Sequence, residues 1–247
     1  MPGGPDPVDW QGRALDCTAC AHHAKLAEGL CGLGWSCVND RYAKRIERFF
    51  VLNPEAADAG LDHPYFEARM NAARVASVFR LPKLIDDPDP GVRAMAVMRL
   101  PRPYAERAIT DPDRRVRIAV VNRVAPKYLM PLTEDPDDYV RQVVARRAPD
   151  GLLPAMLHDP DPEVRRIVAG RVATAFLDRF RADPDPLVRR EAACRRPALF
   201  VADADMRVRH AVAEAGGPDE LRALIDDPED FIGETARMRL AALMEGA

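Results

Sequence analysis

Apolar residues recur along most of this chain at the spacing of one helix face. Val92, Met95, Ala96 and Leu100 stand at i, i+3, i+4 and i+8. The same set returns as Val116, Ala119, Val120 and Val124, as Val140, Val143, Val144 and Ala148, and as Val164, Ile167, Val168 and Val172. This period predicts an amphipathic α-helix each time. Asp-Pro-Asp, or a variant of it, precedes each helix. It supplies a capping side chain and a proline suited to the first turn. A shorter element follows, with apolar residues three apart: Leu81 and Leu84, Leu129 and Leu132, Leu153 and Met156, Leu177 and Phe180, Leu221 and Leu224. Spacing of three suits a 3₁₀ turn.

The openings of these units are His63-Pro64, Asp87-Pro88, Asp111-Pro112, Asp135-Pro136, Asp159-Pro160, Asp183-Pro184, Asp203-Ala204 and Asp227-Pro228. Successive openings are 24 residues apart, except that Asp203 follows Asp183 by only 20. A fixed period of this length means stacked units, each hiding its apolar face against the next. The predicted class is therefore all-α, a solenoid of one long α-helix and one short 3₁₀ or α turn per repeat. Leucine-rich repeats share the length, but their strand pattern is absent. Two-helix HEAT-type repeats need about 40 residues.

Residues 1–62 contain no copy of the unit. They hold both tryptophans and four of the five cysteines. The expected organisation is a Cys-rich domain with an adaptor helix over 1–62 and an eight-copy solenoid over 63–247. The adaptor is RYAKRIERFF, from Arg41 to Phe50, with Tyr42, Ile46, Phe49 and Phe50 facing inward. Its basic amphipathic pattern also fits a membrane surface, but a cap for the first repeat is the favoured role.

The formal charge of −3 lies wholly in residues 1–62, which hold 6 Lys and Arg against 9 Asp and Glu. Residues 63–247 balance at 30 of each sign. The start, MPGGPDPVDW, lacks the basic and apolar regions of a signal peptide, and no apolar stretch is long enough to span a membrane. The expectation is a cytoplasmic protein, where thiols stay reduced and clustered cysteines point to metal rather than disulfides.

Cys17, Cys20, Cys31 and Cys37 read C-x2-C-x10-C-x5-C. Four thiolates so close in sequence can wrap one tetrahedral ion or one inorganic cluster. Zinc ribbons usually have a second tight C-x2-C pair, so the C-x5-C here favours iron–sulfur while leaving Zn²⁺ as the alternative. Gly29, Gly32 and Gly34 are expected to let backbone N–H groups approach the sulfurs. His22 and His23 are expected to face solvent on a helix beginning near Cys20. Cys194, in a column that accepts many residue types, is expected to be an unused thiol.

The unit D-P-D-x-x-V-R-x-x-V-A-x-R at a 24-residue period, behind a cysteine-rich segment, resembles the leucine-rich repeat variant (LRV) family over nearly the whole chain. The resemblance implies a right-handed superhelix of alternating α- and 3₁₀-helices. It also implies a small N-terminal domain housing a [4Fe–4S] cluster. It brings no molecular activity with it.

Two arginine columns complete the pattern. One is Arg69, Arg93, Arg117, Arg141, Arg165, Arg189 and Arg209; the other is Arg99, Arg123, Arg147, Arg171, Arg195 and Arg239. They form either a basic stripe for nucleic acid or, as the matching Asp columns favour, internal ion pairs. Nucleotide-binding fingerprints, HExxH and nucleophile motifs are absent, so enzymatic work is not expected. The favoured function is a scaffold binding a protein partner on the solenoid surface, with a cluster that is structural or senses oxygen or iron. The alternatives are nucleic-acid binding through the arginines and electron transfer.

Overall fold

A computed structural model describes residues 4–245. The first three residues of the Cys-rich segment and the last two of the repeat array lie outside this description. The chain forms two compact units, 1–125 and 126–247. Among the described residues there are helices and no strands, only the isolated bridges Val8–Ala14 and Gly32–Ser36. No helix among them is long and apolar enough to cross a membrane.

The first unit contains α1 (His23–Ala27), α2 (Ala43–Leu52), α3 (Ala57–Gly60), α4 (Phe66–Val75), α5 (Pro90–Arg99), α6 (Arg102–Arg107) and α7 (Arg114–Arg123). Helix α2 packs on α4, α4 on α5, and α5 on α7. The step from residue 62 to 63 thus falls inside one continuous core. Phe49, Phe50 and Ile46 of α2 are buried there with Leu61, Ala68 and Ala72. The sequence reading turned Tyr42 inward; it is half-buried, and the buried side chain beside it is Arg45. Arg45 reaches Asp40 (Nη1 to Oδ2, 3.0 Å) and donates to the Pro5 carbonyl, 2.8 Å away. The apolar face formed by Ile46, Phe49 and Phe50 is committed to this core.

The second unit contains α8 (Asp138–Arg147), α9 (Pro162–Arg171), α10 (Pro186–Arg195), α11 (Met206–Ala215), α12 (Pro218–Leu224) and α13 (Asp230–Glu245). Its helices stack α8 on α9, α9 on α10, α10 on α11 and α11 on α13. The shorter elements are 3₁₀ at Val78–Asp86 in the first unit, and at Met130–Glu134, Leu153–Met156 and Thr174–Phe180 in the second. At α6 and α12 they are α-helical. In α12, Pro218 starts the turn and Glu220 Oε2 accepts from Gly217 N–H at 2.9 Å, closing a proper helix start.

Where an opening holds two aspartates, they do different work. The first makes the turn: Asp87 Oδ1 accepts from Asp89 N–H at 2.9 Å, and Asp159 and Asp183 do the same with Asp161 and Asp185. The second is the N-cap: Asp89 accepts from Gly91 and Val92, Asp161 from Val164, Asp185 from Leu187. These bonds satisfy N–H groups that a helix start leaves without intrahelical partners.

Burial differs from the expected face in one row. The fully buried positions are i, i+4, i+5 and i+8, as in Val92, Ala96, Val97 and Leu100, or Val164, Val168, Ala169 and Val172. The i+3 residues Met95, Val143 and Ile167 are half-buried. A stacked helix is covered from both sides, so the buried arc widens beyond a single stripe, and the small residues Ala145, Ala169 and Ala193 fill its extra row.

Both arginine columns are tied down inside the stack. Arg69, Arg93, Arg141, Arg165, Arg189 and Arg209 each grip the first Asp of the next repeat with two N–H groups. For Arg165 and Asp183 the distances are 2.7 and 3.0 Å. The same pattern joins Arg69 to Asp87, Arg93 to Asp111, Arg141 to Asp159, Arg189 to Asp203 and Arg209 to Asp227. The remaining Nη1 donates to carbonyls of the repeat's own opening, as Arg165 does to Asp159 O at 2.8 Å. The second column points backward. Arg99 donates to the Ala73 and Ala76 carbonyls, Arg171 to Ala145 and Ala148, Arg195 to Ala169 and Val172, and Arg239 to Ala213 and Gly216. These carbonyls end the preceding long helices, where positive charge is favoured.

The shortened repeat loses its residues from the small element alone. Helices α10 and α11 keep ten residues each, while the connecting 3₁₀ turn shrinks to Pro197–Leu199. The pair Arg189–Asp203 forms across 14 residues with the geometry that the others reach across 18.

Candidate metal centre

The four clustered cysteines surround one pocket. Asp16 Oδ1 accepts from Thr18 N–H at 2.8 Å and from the Thr18 hydroxyl at 2.6 Å, folding the chain between Cys17 and Cys20 into a tight turn. Helix α1 follows at once and ends at Gly29, whose φ of +69° reverses the chain toward Cys31. Cys31 and Cys37 flank a miniature hairpin. Gly32 N–H donates to Ser36 O at 2.7 Å, and Gly34 turns at φ +77°. The five-residue gap is the length of that hairpin.

The pocket is small, about 20 Å³, and partly open to solvent, and its walls include Leu26, Val38 and Phe49. All four thiols line it, none is in a disulfide, and each is half-buried. Burial pushes the Cys31 thiol up, and the nearby Cys20 and Cys17 push it further. Burial also raises Cys37, to about 11, with Asp40 and Cys20 adding to the effect. Burial thus opposes ionisation of Cys31 and Cys37, and a positively charged centre would offset it. Among the described residues no three His, Cys, Asp or Glu side chains stand close enough to share a single ion. A set of four thiolate donors suits either an inorganic cluster or one tetrahedral zinc.

The glycines play a different part from the expected one. Gly29 and Gly32 spend their N–H groups on Leu26 O and Ser36 O, and a side chain at Gly32 would strike the Trp35 ring. A sulfur is approached instead by His22 N–H, 3.4 Å from Cys20 Sγ. The Asn39 side-chain amide adds a further donor, 3.6 Å from Cys20 Sγ.

The two histidines differ in exposure. The His22 ring packs 4.9 Å from Phe49, and burial lowers its pKa. His23 opens α1, is exposed as expected, and places Nδ1 2.9 Å from Cys17 O. For His22 the expectation failed because Phe49 arrives from α2, beyond the reach of local spacing. Cys194 lies exposed on α10 in the second unit, as an unused thiol would. Asn39 was missed altogether. Its one sequence signal is the break in the Asp column at His63, whose Nε2 lies 3.0 Å from Asn39 Oδ1.

Comparison with known proteins agrees with this geometry. The family described as "LRV protein FeS4 cluster" matches residues 7–59, which include all four cysteines. A Rhodobacter capsulatus protein described as "Uncharacterized 27.7 kDa protein in nifB 3'region" is 67% identical over 106 residues, a stretch of 43% of each chain. A solved structure titled "A leucine-rich repeat variant with a novel repetitive protein structural motif" is 35% identical. It covers 92% of this chain and is covered over 99% of its own, with a TM-score of 0.83. The chain belongs to the leucine-rich repeat variant family.

Proposed function

We propose that this protein is a helical-repeat scaffold for a protein partner, and that a [4Fe–4S] cluster held by Cys17, Cys20, Cys31 and Cys37 braces its N-terminal segment. The carrying observation is that the cysteine-lined pocket has Phe49 for a wall, a core residue of the helix that packs on the first repeat. Building the cluster and covering the first repeat are thus one act of folding. The cluster supplies four metal–sulfur bonds across segments too short to bury a core of their own. Loss of those bonds under oxygen or iron shortage would loosen the cap, which gives the scaffold a sensing mode.

The scaffold reading is favoured over nucleic-acid binding because both arginine columns spend their donors inside the stack. Stacked repeats present an extended surface to a partner, while their pairing arginines are unavailable to phosphates. The test is iron and acid-labile sulfide analysis of anaerobically purified protein, expected at about four of each per chain. Cys31→Ser should abolish the visible absorption and loosen the first unit, while most of the helical circular dichroism survives. Zinc in place of iron, or a metal-free native protein, overturns the cluster.

A further inference from the structure

His63 opens the first repeat where every later repeat has Asp. It reproduces the turn that Asp makes elsewhere, because its Nδ1 accepts from Tyr65 N–H at 3.0 Å. A ring nitrogen that accepts has no hydrogen, so in the neutral ring the hydrogen sits on Nε2. Nε2 therefore donates to Asn39 Oδ1 at 3.0 Å. With its oxygen so engaged, the Asn39 amide presents its NH₂ to Cys20 Sγ at 3.6 Å. Trp10 lies edge-on to the imidazole with centroids 5.0 Å apart, and stacks on Tyr65 at 5.8 Å, so the ring cannot swing away freely.

We propose that Asn39 is a positioning residue of the cluster, donating a hydrogen bond to the Cys20 sulfur, and that His63 of the first repeat fixes the direction of its amide. Asp at position 63 would keep the turn and remove the donor that orients Asn39. The exchange of Asp for His at this one repeat opening thus joins the repeat array to the sulfur environment. The link extends onward, since Arg69 holds the His63 carbonyl at 2.9 Å while gripping Asp87. Hydrogen bonds to the sulfurs lower the electron density on them, which strengthens the hold on the cluster and shifts its electronic transitions.

This rests on the cluster reading above, and the test separates the two. Wild type, Asn39→Leu, His63→Asp and His63→Gln are purified anaerobically as full chains. Sulfur-to-iron charge-transfer absorption is recorded, and bleaching by a ferrous chelator is timed. Asn39→Leu should bleach about tenfold faster, with its absorption moved to lower energy. His63→Asp should move both readings the same way by a smaller amount. His63→Gln, which keeps a donor near the place of Nε2, should match wild type. Wild-type readings for Asn39→Leu overturn the proposal, and wild-type readings for His63→Asp overturn the role of His63. If Asn39→Leu assembles no cluster, the contrast between His63→Asp and His63→Gln decides. A wild-type protein that holds no iron and sulfide overturns the cluster reading itself before any variant is compared.

Discussion

Asp183→Asn isolates one inter-repeat fastener. The substitution keeps an acceptor for Asp185 N–H, so the turn survives. It removes the negative charge and turns one arm of the bidentate pair into a donor facing a donor. The side chains of Arg165 and Asp183 are 11% and 6% exposed. Such a pair sits near the buried limit, where removing one partner costs about 3–5 kcal/mol, far from the surface limit of about 0–1 kcal/mol. Arg165 keeps the Asp159 carbonyl as a partner, which reduces the expected loss to about 2–3 kcal/mol. The exposed pair Arg222–Asp219, at 57% and 93%, is the control, and Asp219→Asn should cost less than about 0.5 kcal/mol. Repeat arrays can unfold in parts, so the assay is urea-dependent hydrogen exchange of amides in α9 and α10. Equal effects from the two variants would refute the claim that these pairs fasten the stack.

Phe49→Ala should destabilise the first unit by about 3–5 kcal/mol, since the ring is buried and touches both His22 and Phe50; a melt with unchanged midpoint would contradict this. Acid should loosen the second unit below about pH 4. The Arg209 hydrogen bond holds Asp227 below its ordinary pKa, and the Arg207 hydrogen bond lowers Asp205 to about 2. Their contribution is complete above the unfolded carboxylate pKa and disappears as pH falls through the folded values; a stability curve flat from pH 5 to pH 2 would refute it. Duplex DNA and RNA should bind negligibly even at low salt, and tight binding with a steep salt slope would revive the arginine stripe as an interface.

The repeat was legible in the sequence because helix period, cap residues and spacing all agree. The four cysteines were legible for the same reason: their spacing is a local property, set by one turn, one short helix and one hairpin. What stayed hidden depends on chain segments meeting. The burial of His22 needs Phe49, and the burial of Arg45 needs Asp40 and the chain near Pro5. Matched Asp and Arg columns announced internal pairing. They did not reveal that one column reaches forward to carboxylates and the other backward to helix-end carbonyls. The extra buried row at i+5 was obscured because a single helix read alone has one inner face, whereas a stacked one has two flanks.

The shortened repeat shows what defines a module in this protein. Four residues are gone, yet Arg189 still meets Asp203 as its counterparts meet theirs. The unit of construction is the gap between clasps, and chain length within that gap is free to vary. Deletions should collect in the small turns and spare the ten-residue helices, so the array can drift in sequence length while every joint keeps one and the same fit.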